Sequence, residues 1–139
     1  MWGDYMNTYN IVLAEDHIMF RQGIRQILEE NGDLKVVGEV GDGLELLDFL
    51  EKAQADLIIL DISMPRLPGV EAARRIRMLY PEVKVLILSM HKDKEYFERA
   101  ISAGAAGYLP KEGTDTELIG AVKAIRQGKT YISPLIPVN

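Results

Sequence analysis

Short, unbroken apolar runs separated by stretches of helical periodicity leave this chain very few folds. Ile11-Val12-Leu13-Ala14, Leu57-Ile58-Ile59-Leu60 and Val85-Leu86-Ile87-Leu88 are the clearest runs. Alternating with helical patterns, they indicate parallel strands buried on both faces. The pattern predicts strands over 10–14, 34–40, 57–60, 84–88 and 106–109, each followed by a helix. The expected helical stripes are Ile18, Ile24, Ile27 and Leu28; Leu44, Leu47 and Leu50; Val70, Ala73 and Ile76; Tyr96, Phe97 and Ile101; and Leu118, Val122 and Ile125. Gly32, Gly104 and Gly128 stand where helices should stop, Gly32 as a left-handed cap. Thr114 and Glu117 have the spacing of a capping box for the last helix. Five strand–helix repeats with right-handed crossovers place helices on both sides of a five-stranded parallel sheet, a three-layer α/β/α sandwich.

At 139 residues the chain fits one domain, and 47% hydrophobic residues suit a globular core. A net charge of −5 with no basic run argues against nucleic acid or an anionic membrane as the partner of this chain. Cysteine is absent, so disulfides, thiolate metal sites and iron–sulfur clusters are excluded. No apolar stretch is long enough to span a bilayer and no signal peptide opens the chain, which fits a cytoplasmic location. The expected division is an irregular lead-in over 1–9, a domain over 10–130, and a tail or the start of a linker over 131–139.

Each hydrophobic run ends on a polar residue. Glu15 and Asp16 follow the first strand, Asp61 the third, Ser89 the fourth and Lys111 the fifth. The carboxyl ends of strands in an open α/β sheet form the rim where ligands bind. Clustered carboxylates repel unless a cation lies between them, and hard oxygen ligands suit Mg²⁺. Lys111 can pair with a carboxylate or a phosphoryl oxygen, and the Ser89 hydroxyl can donate to another. Asp61 is then the candidate nucleophile for a phosphoryl group. Read singly, Asp16 and Ser89 could each be no more than a helix cap. His17 and His91 are expected to be exposed loop residues, and two histidines alone do not make a zinc site. Arg66, Arg74, Arg75 and Arg77 read as a solvated basic patch. Gly41-Asp42-Gly43 lacks the third glycine of a dinucleotide fingerprint, and no P-loop occurs.

Glu15-Asp16, Asp61 in D-x-x-M-P-x-x-x-G, Ser89, and Lys111 after Ala106-Gly107-Tyr108 resemble the bacterial two-component response-regulator receiver domain over residues 10–130. Ala105-Ala106-Gly107-Tyr108-Leu109 and the ending Gly128-Lys129-Thr130-Tyr131-Ile132-Ser133-Pro134 are similar to the NarL/FixJ (LuxR-type) subfamily. The resemblance implies a (βα)5 flavodoxin-like fold, Asp61 as phospho-acceptor, and Mg²⁺ held by Glu15, Asp16, Asp61 and the backbone carbonyl of Ser63. It implies Ser89 and Tyr108 as a switch pair and Lys111 as the phosphate-sensing cation. A sensor histidine kinase is the implied partner, with a phosphorylation-dependent homodimer as a further one. A DNA-binding output domain is expected in a full-length protein, so this chain itself would not bind DNA. One departure is that many such domains carry proline directly after the lysine, whereas here Pro110 precedes Lys111 and Glu112 follows.

The alternatives are a Mg²⁺-dependent aspartyl-phosphate phosphatase and a non-phosphorylated α/β interaction module. Phosphatases of the haloacid dehalogenase type usually place a second aspartate two positions after the nucleophile. Ser63 stands there, which argues for a phospho-acceptor rather than a turnover enzyme.

Overall fold

The computed structural model describes residues 8–137, so most of the lead-in expected over 1–9, Trp2 included, lies outside the described residues. The elements are β1 (Tyr9–Ala14), α1 (Ile18–Glu29), β2 (Leu34–Val40), α2 (Gly43–Lys52), β3 (Leu57–Asp61), α3 (Gly69–Leu79), β4 (Lys84–Ser89), α4 (Lys94–Ser102) and β5 (Gly107–Pro110). A 3₁₀ turn (Lys111–Gly113), α5 (Thr114–Arg126) and β6 (Tyr131–Ile132) complete them. All strand pairs are parallel, in the order β2-β1-β3-β4-β5-β6.

Side chains alternate across a strand, and the alternation divides the core in two. Ile11, Leu13, Leu57, Ile59, Leu86, Leu88 and Leu109 pack with Ile24 and Leu28 of α1 and with Leu118, Val122 and Ile125 of α5. Val12, Ala14, Ile58, Leu60, Val85, Ile87 and Tyr108 face the other way, towards Leu46, Ala73, Ile76 and Ala100 of α2, α3 and α4. Both faces of the central strands are thus dry, which is why their sequences are continuously apolar. Strand order reverses between β1 and β3, and ligands of open α/β sheets bind at such a point.

Several local expectations are corrected. Among the described residues the sheet has six strands, not five: the Tyr131 amide donates to Ala106 O at 2.9 Å and the Ser133 amide to Tyr108 O at 3.2 Å. Two residues show no alternation, so only the open edge of β5 makes them a strand. The capping box does not form. Thr114 is already helical and donates to Lys111 O at 2.7 Å, while Glu117 accepts from Tyr131 and Ser133. Gly104 and Gly128 have positive φ (100° and 87°), but Gly32 does not. In α2 the buried leucines are Leu46 and Leu50, and Leu44 is exposed; in α1 Ile18 is exposed. Asp16 is not a cap, since His17 holds that position in α1. The arginines at 66, 74, 75 and 77 are exposed as expected, and three of them are paired: Arg66 with Asp42, and Arg74 and Arg75 with Glu71. The peptide bond after Lys111 is trans, and no helix among the described residues is long and apolar enough to cross a membrane.

Gly69 shapes the loop that follows β3. A Cβ there would lie 2.6 Å from Asp61 O and 2.6 Å from Ile62 Cα, while the Gly69 amide closes the loop on Ile62 O at 3.0 Å. Gly69→Ala should therefore lower the unfolding free energy in urea by about 1–3 kcal/mol. Gly23→Ala, where a Cβ would meet nothing within 4 Å on the exposed side of α1, should raise it by roughly 0.5–1 kcal/mol.

Candidate functional site

Four strands deliver the polar residues to one rim. Asp61 is the last residue of β3, Ser89 the last of β4, and Glu15 follows β1 directly. Lys111 opens the 3₁₀ turn after β5. Pairing of Leu60 with Ala14, of Asp61 with Leu88, and of Ser89 with Pro110 brings these ends level. The expected convergence of Glu15, Asp16, Asp61 and Lys111 is therefore present, with Ser89 on the neighbouring strand.

Lys111 lies between two carboxylates. Its Nζ is 2.9 Å from Glu15 Oε1 and 3.3 Å from Asp61 Oδ2, and the acid side chains are each 2% exposed. The Glu15 contact is an ion pair outside hydrogen-bonding angles, so the buried Oε1 keeps a lone pair without a donor. Asp61 Oδ1 accepts from the Ser63 amide at 3.1 Å. Glu15 Oε2 accepts from the His17 amide at 3.0 Å and lies 3.1 Å from the His17 ring Nδ1.

The two buried acids titrate in opposite directions. Burial works against ionised Glu15, but the His17 amide and the Lys111 ammonium together hold its carboxyl below the ordinary range. Burial, reinforced by the charge of Glu15, pushes Asp61 above it, against the pull of the Ser63 amide and Lys111. Burial also disfavours the Lys111 charge, yet Glu15 and Asp61 outweigh it and raise its pKa. One cation thus serves two anions, and Asp61 is the anion less well compensated.

One ligand atom from each of Glu15, Asp16, His17 and Asp61 can lie within 4.8 Å of the others. Carboxylate oxygens dominate the set, and together with the undonated Glu15 Oε1 they fit a hard divalent cation. Ser63 reaches Asp61 through its amide.

Ser89 does not cap α4. Its Oγ accepts from the His91 amide at 2.9 Å, and the Tyr108 hydroxyl donates to His91 O at 2.9 Å. Tyr108 is fully buried, and burial raises its pKa. His91 is half-buried and stacked on Tyr96 at 3.9 Å, not the exposed polar residue expected.

Sequence reasoning missed several neighbours. Lys111 Nζ sits 4.8 Å over the Phe20 ring, and Arg21 donates to Glu15 O and Val40 O, bracing the β1 terminus. Asp42 caps α2 through Glu45 and pairs with Arg66, which has a φ of 66° in the loop after Asp61. Phe20 has helical spacing with Ile24, Ile27 and Leu28 and packs on the same cluster, so it reads as an ordinary core residue; the Arg21 and Arg66 contacts left no signal.

Residues 11–123 match the response regulator receiver domain family. The chain belongs to that family. The receiver domain is 42% identical over 133 residues to the transcriptional regulatory protein DegU of Brevibacillus brevis, covering 96% of this chain and 56% of DegU. It is 39% identical to the oxygen regulatory protein NreC of Staphylococcus carnosus, over 89% of this chain and 58% of NreC. A LuxR-family two-component response regulator from Aurantimonas sp. SI85-9A1 superposes with a TM-score of 0.89 at 33% identity, covering 93% and 92% of the two chains. The isolated receiver domain of Salmonella enterica serovar Typhimurium RcsB, solved with phosphomimetic BeF₃⁻, gives 0.88 at 28% identity over 94% and 96%. These relatives support the NarL/FixJ (LuxR-type) subfamily. The chain spans about half the length of the curated relatives it matches.

A raised carboxyl pKa favours the fold only while the acid is protonated, and that contribution is lost as pH rises through the folded-state value. At pH 7 in EDTA, Asp61→Asn should therefore melt about 3–5 °C above the parent, the shift that about 1 kcal/mol produces in a domain of this length. The gap should close in acid as Asp61 is protonated. Mg²⁺ should raise the melting temperature of the parent and not of the variant.

Proposed function

We propose that this receiver domain is a phosphorylation-operated switch in which Asp61 accepts a phosphoryl group from the phosphohistidine of a sensor kinase. The observation that carries the reading is the buried Asp61 carboxylate at a strand end, 3.3 Å from Lys111 and within one ligand cluster with Glu15 and Asp16. An Asp61 oxygen attacks phosphorus, the P–N bond breaks, and its electron pair leaves with the imidazole nitrogen, giving an acyl phosphate. Mg²⁺ held by Glu15, Asp16, Asp61 and the Ser63 carbonyl would supply positive charge to the phosphoryl oxygens. Lys111 neutralises a further oxygen, and the hydroxyl of Ser89 donates to another. The protein's part is orientation and electrostatics. No general acid stands two positions after Asp61, so the domain assists its own phosphorylation and dephosphorylation rather than turning over small substrates.

Movement of Ser89 towards the phosphoryl group would remove the acceptor of the His91 amide and disturb the Tyr108–His91 bond. The change then reaches the α4–β5–α5 face, shifting an existing equilibrium. By analogy with its regulatory relatives, that face would control self-association and a DNA-binding output domain of a full-length protein in the cytoplasm.

Intact mass after incubation with acetyl phosphate and Mg²⁺ should show one added phosphoryl group. The adduct should be absent in Asp61→Asn and in EDTA. No adduct, together with no BeF₃⁻-dependent rise in melting temperature, would overturn the assignment. Lys111→Ala should leave metal binding in place and lower the phosphorylation rate at least 10-fold, about 1.4 kcal/mol of transition-state stabilisation, read by the same assay over time.

A further inference from the structure

The α4–β5–α5 face is already occupied. After α5 the chain turns at Gly128, pairs in parallel with β5 and so runs back towards the rim that carries Asp61. Besides backbone pairing with β5, its side-chain hydrogen bonds to the body of the domain converge on one residue of α5. Glu117 of α5 accepts from the Tyr131 hydroxyl at Oε1 (2.6 Å) and from Ser133 Oγ at Oε2 (3.1 Å). Ser133 Oγ in turn accepts the Leu135 amide at 3.1 Å, and Ile136 is buried in the same cluster as Tyr108, Ala100 and Ala103. Gly113 and Gly107 make room for the arrangement. A Cβ on Gly113 would lie 2.5 Å from Glu117 Oε2, and one on Gly107 3.1 Å from Tyr131 O. Burial and the hydrogen bond to Glu117 push the Tyr131 phenol up to about 12.

The segment is also wired to the switch. Tyr108 is shared: its hydroxyl is tied to the β4–α4 loop through His91 O, and its carbonyl accepts the Ser133 amide. Anything that draws Ser89 away from the His91 amide perturbs the residue on which the segment hangs. A two-residue edge strand belongs to the low-stability end of a fold, where small perturbations open structure locally.

We propose that residues 129–137 form a strap, clamped by Glu117, which covers the β5 edge in the resting state and is released when Asp61 is phosphorylated. Release uncovers the β5 edge and the Ile136 seat, so the strap acts as an intramolecular brake on what that face can bind. This rests on the phospho-acceptor reading of Asp61, but the clamp can be tested without it.

Hydrogen–deuterium exchange of the intact chain, read on peptides covering 129–137, separates the two. Without phosphomimetic, Glu117→Gln and the Tyr131→Phe/Ser133→Ala pair should each speed exchange of this segment about 10-fold or more. β3 and β4 should be unchanged, and the acetyl phosphate adduct retained. Unchanged exchange in both variants would overturn the clamp. With Mg²⁺ and BeF₃⁻ the parent segment should exchange faster, and Ser89→Ala should abolish that response. If BeF₃⁻ raises the melting temperature through Asp61 while 129–137 stays protected, the release is wrong and the phospho-acceptor reading stands. If BeF₃⁻ does not bind, the phospho-acceptor reading and phosphorylation-driven release fall together, and the clamp is judged on the unliganded variants alone.

Discussion

Two carboxylates and one ammonium share a space that water scarcely enters, and much else in this domain follows from that imbalance. Glu15, Asp61 and Lys111 are all buried or nearly so. Removing charges from water costs several kcal/mol per ion unless partners replace the solvent. Glu15 has the better partners, and the deficit falls on Asp61. The site is short of positive charge beside Asp61, and its clustered carboxylates suit a hard divalent cation. The apolar sheet beneath it supplies the rigidity, since β1, β3 and β4 are buried on both faces and hold their polar ends in fixed register.

Very few contacts connect the site to the sheet edge. Ser89, the His91 backbone and Tyr108 form one chain of hydrogen bonds from the rim to β5. The Tyr108 carbonyl extends that chain to Ser133, and Glu117 brings in α5. A packed core does not deform continuously, so a displacement at Ser89 has to be absorbed where packing is thinnest. The short β6 strand at the sheet edge is such a place.

Much of the fold was legible because its signals are local and strong. Unbroken apolar runs such as Leu57–Leu60 cannot be satisfied on a half-exposed sheet, and Leu118, Val122 and Ile125 keep helical spacing and are all buried. Errors arose where two local choices were nearly equal. Leu44, Leu46, Leu47 and Leu50 offer more than one apolar stripe, and packing against the sheet buried Leu46 fully and left Leu44 exposed. Thr114 and Glu117 have capping spacing, yet Glu117 found stronger donors in Tyr131 and Ser133, residues brought close only by the return of the chain.

By itself the sequence determined the alternation of buried strands and helices, and with it the placement of Glu15, Asp16, Asp61, Ser89 and Lys111 at strand ends on one rim. Those features depend on periodicity and on chain direction, which are properties of consecutive residues. Only the tertiary structure decided that Lys111 lies between Glu15 and Asp61, that the two acids shift in opposite directions, and that Tyr108 is tied to His91. Desolvation and hydrogen bonding depend on distances between residues as far apart as Asp61 and Lys111, and no spacing within the chain encodes them. The same holds for the sixth strand, because an edge is an unsatisfied row of backbone groups that exists only once the sheet has formed.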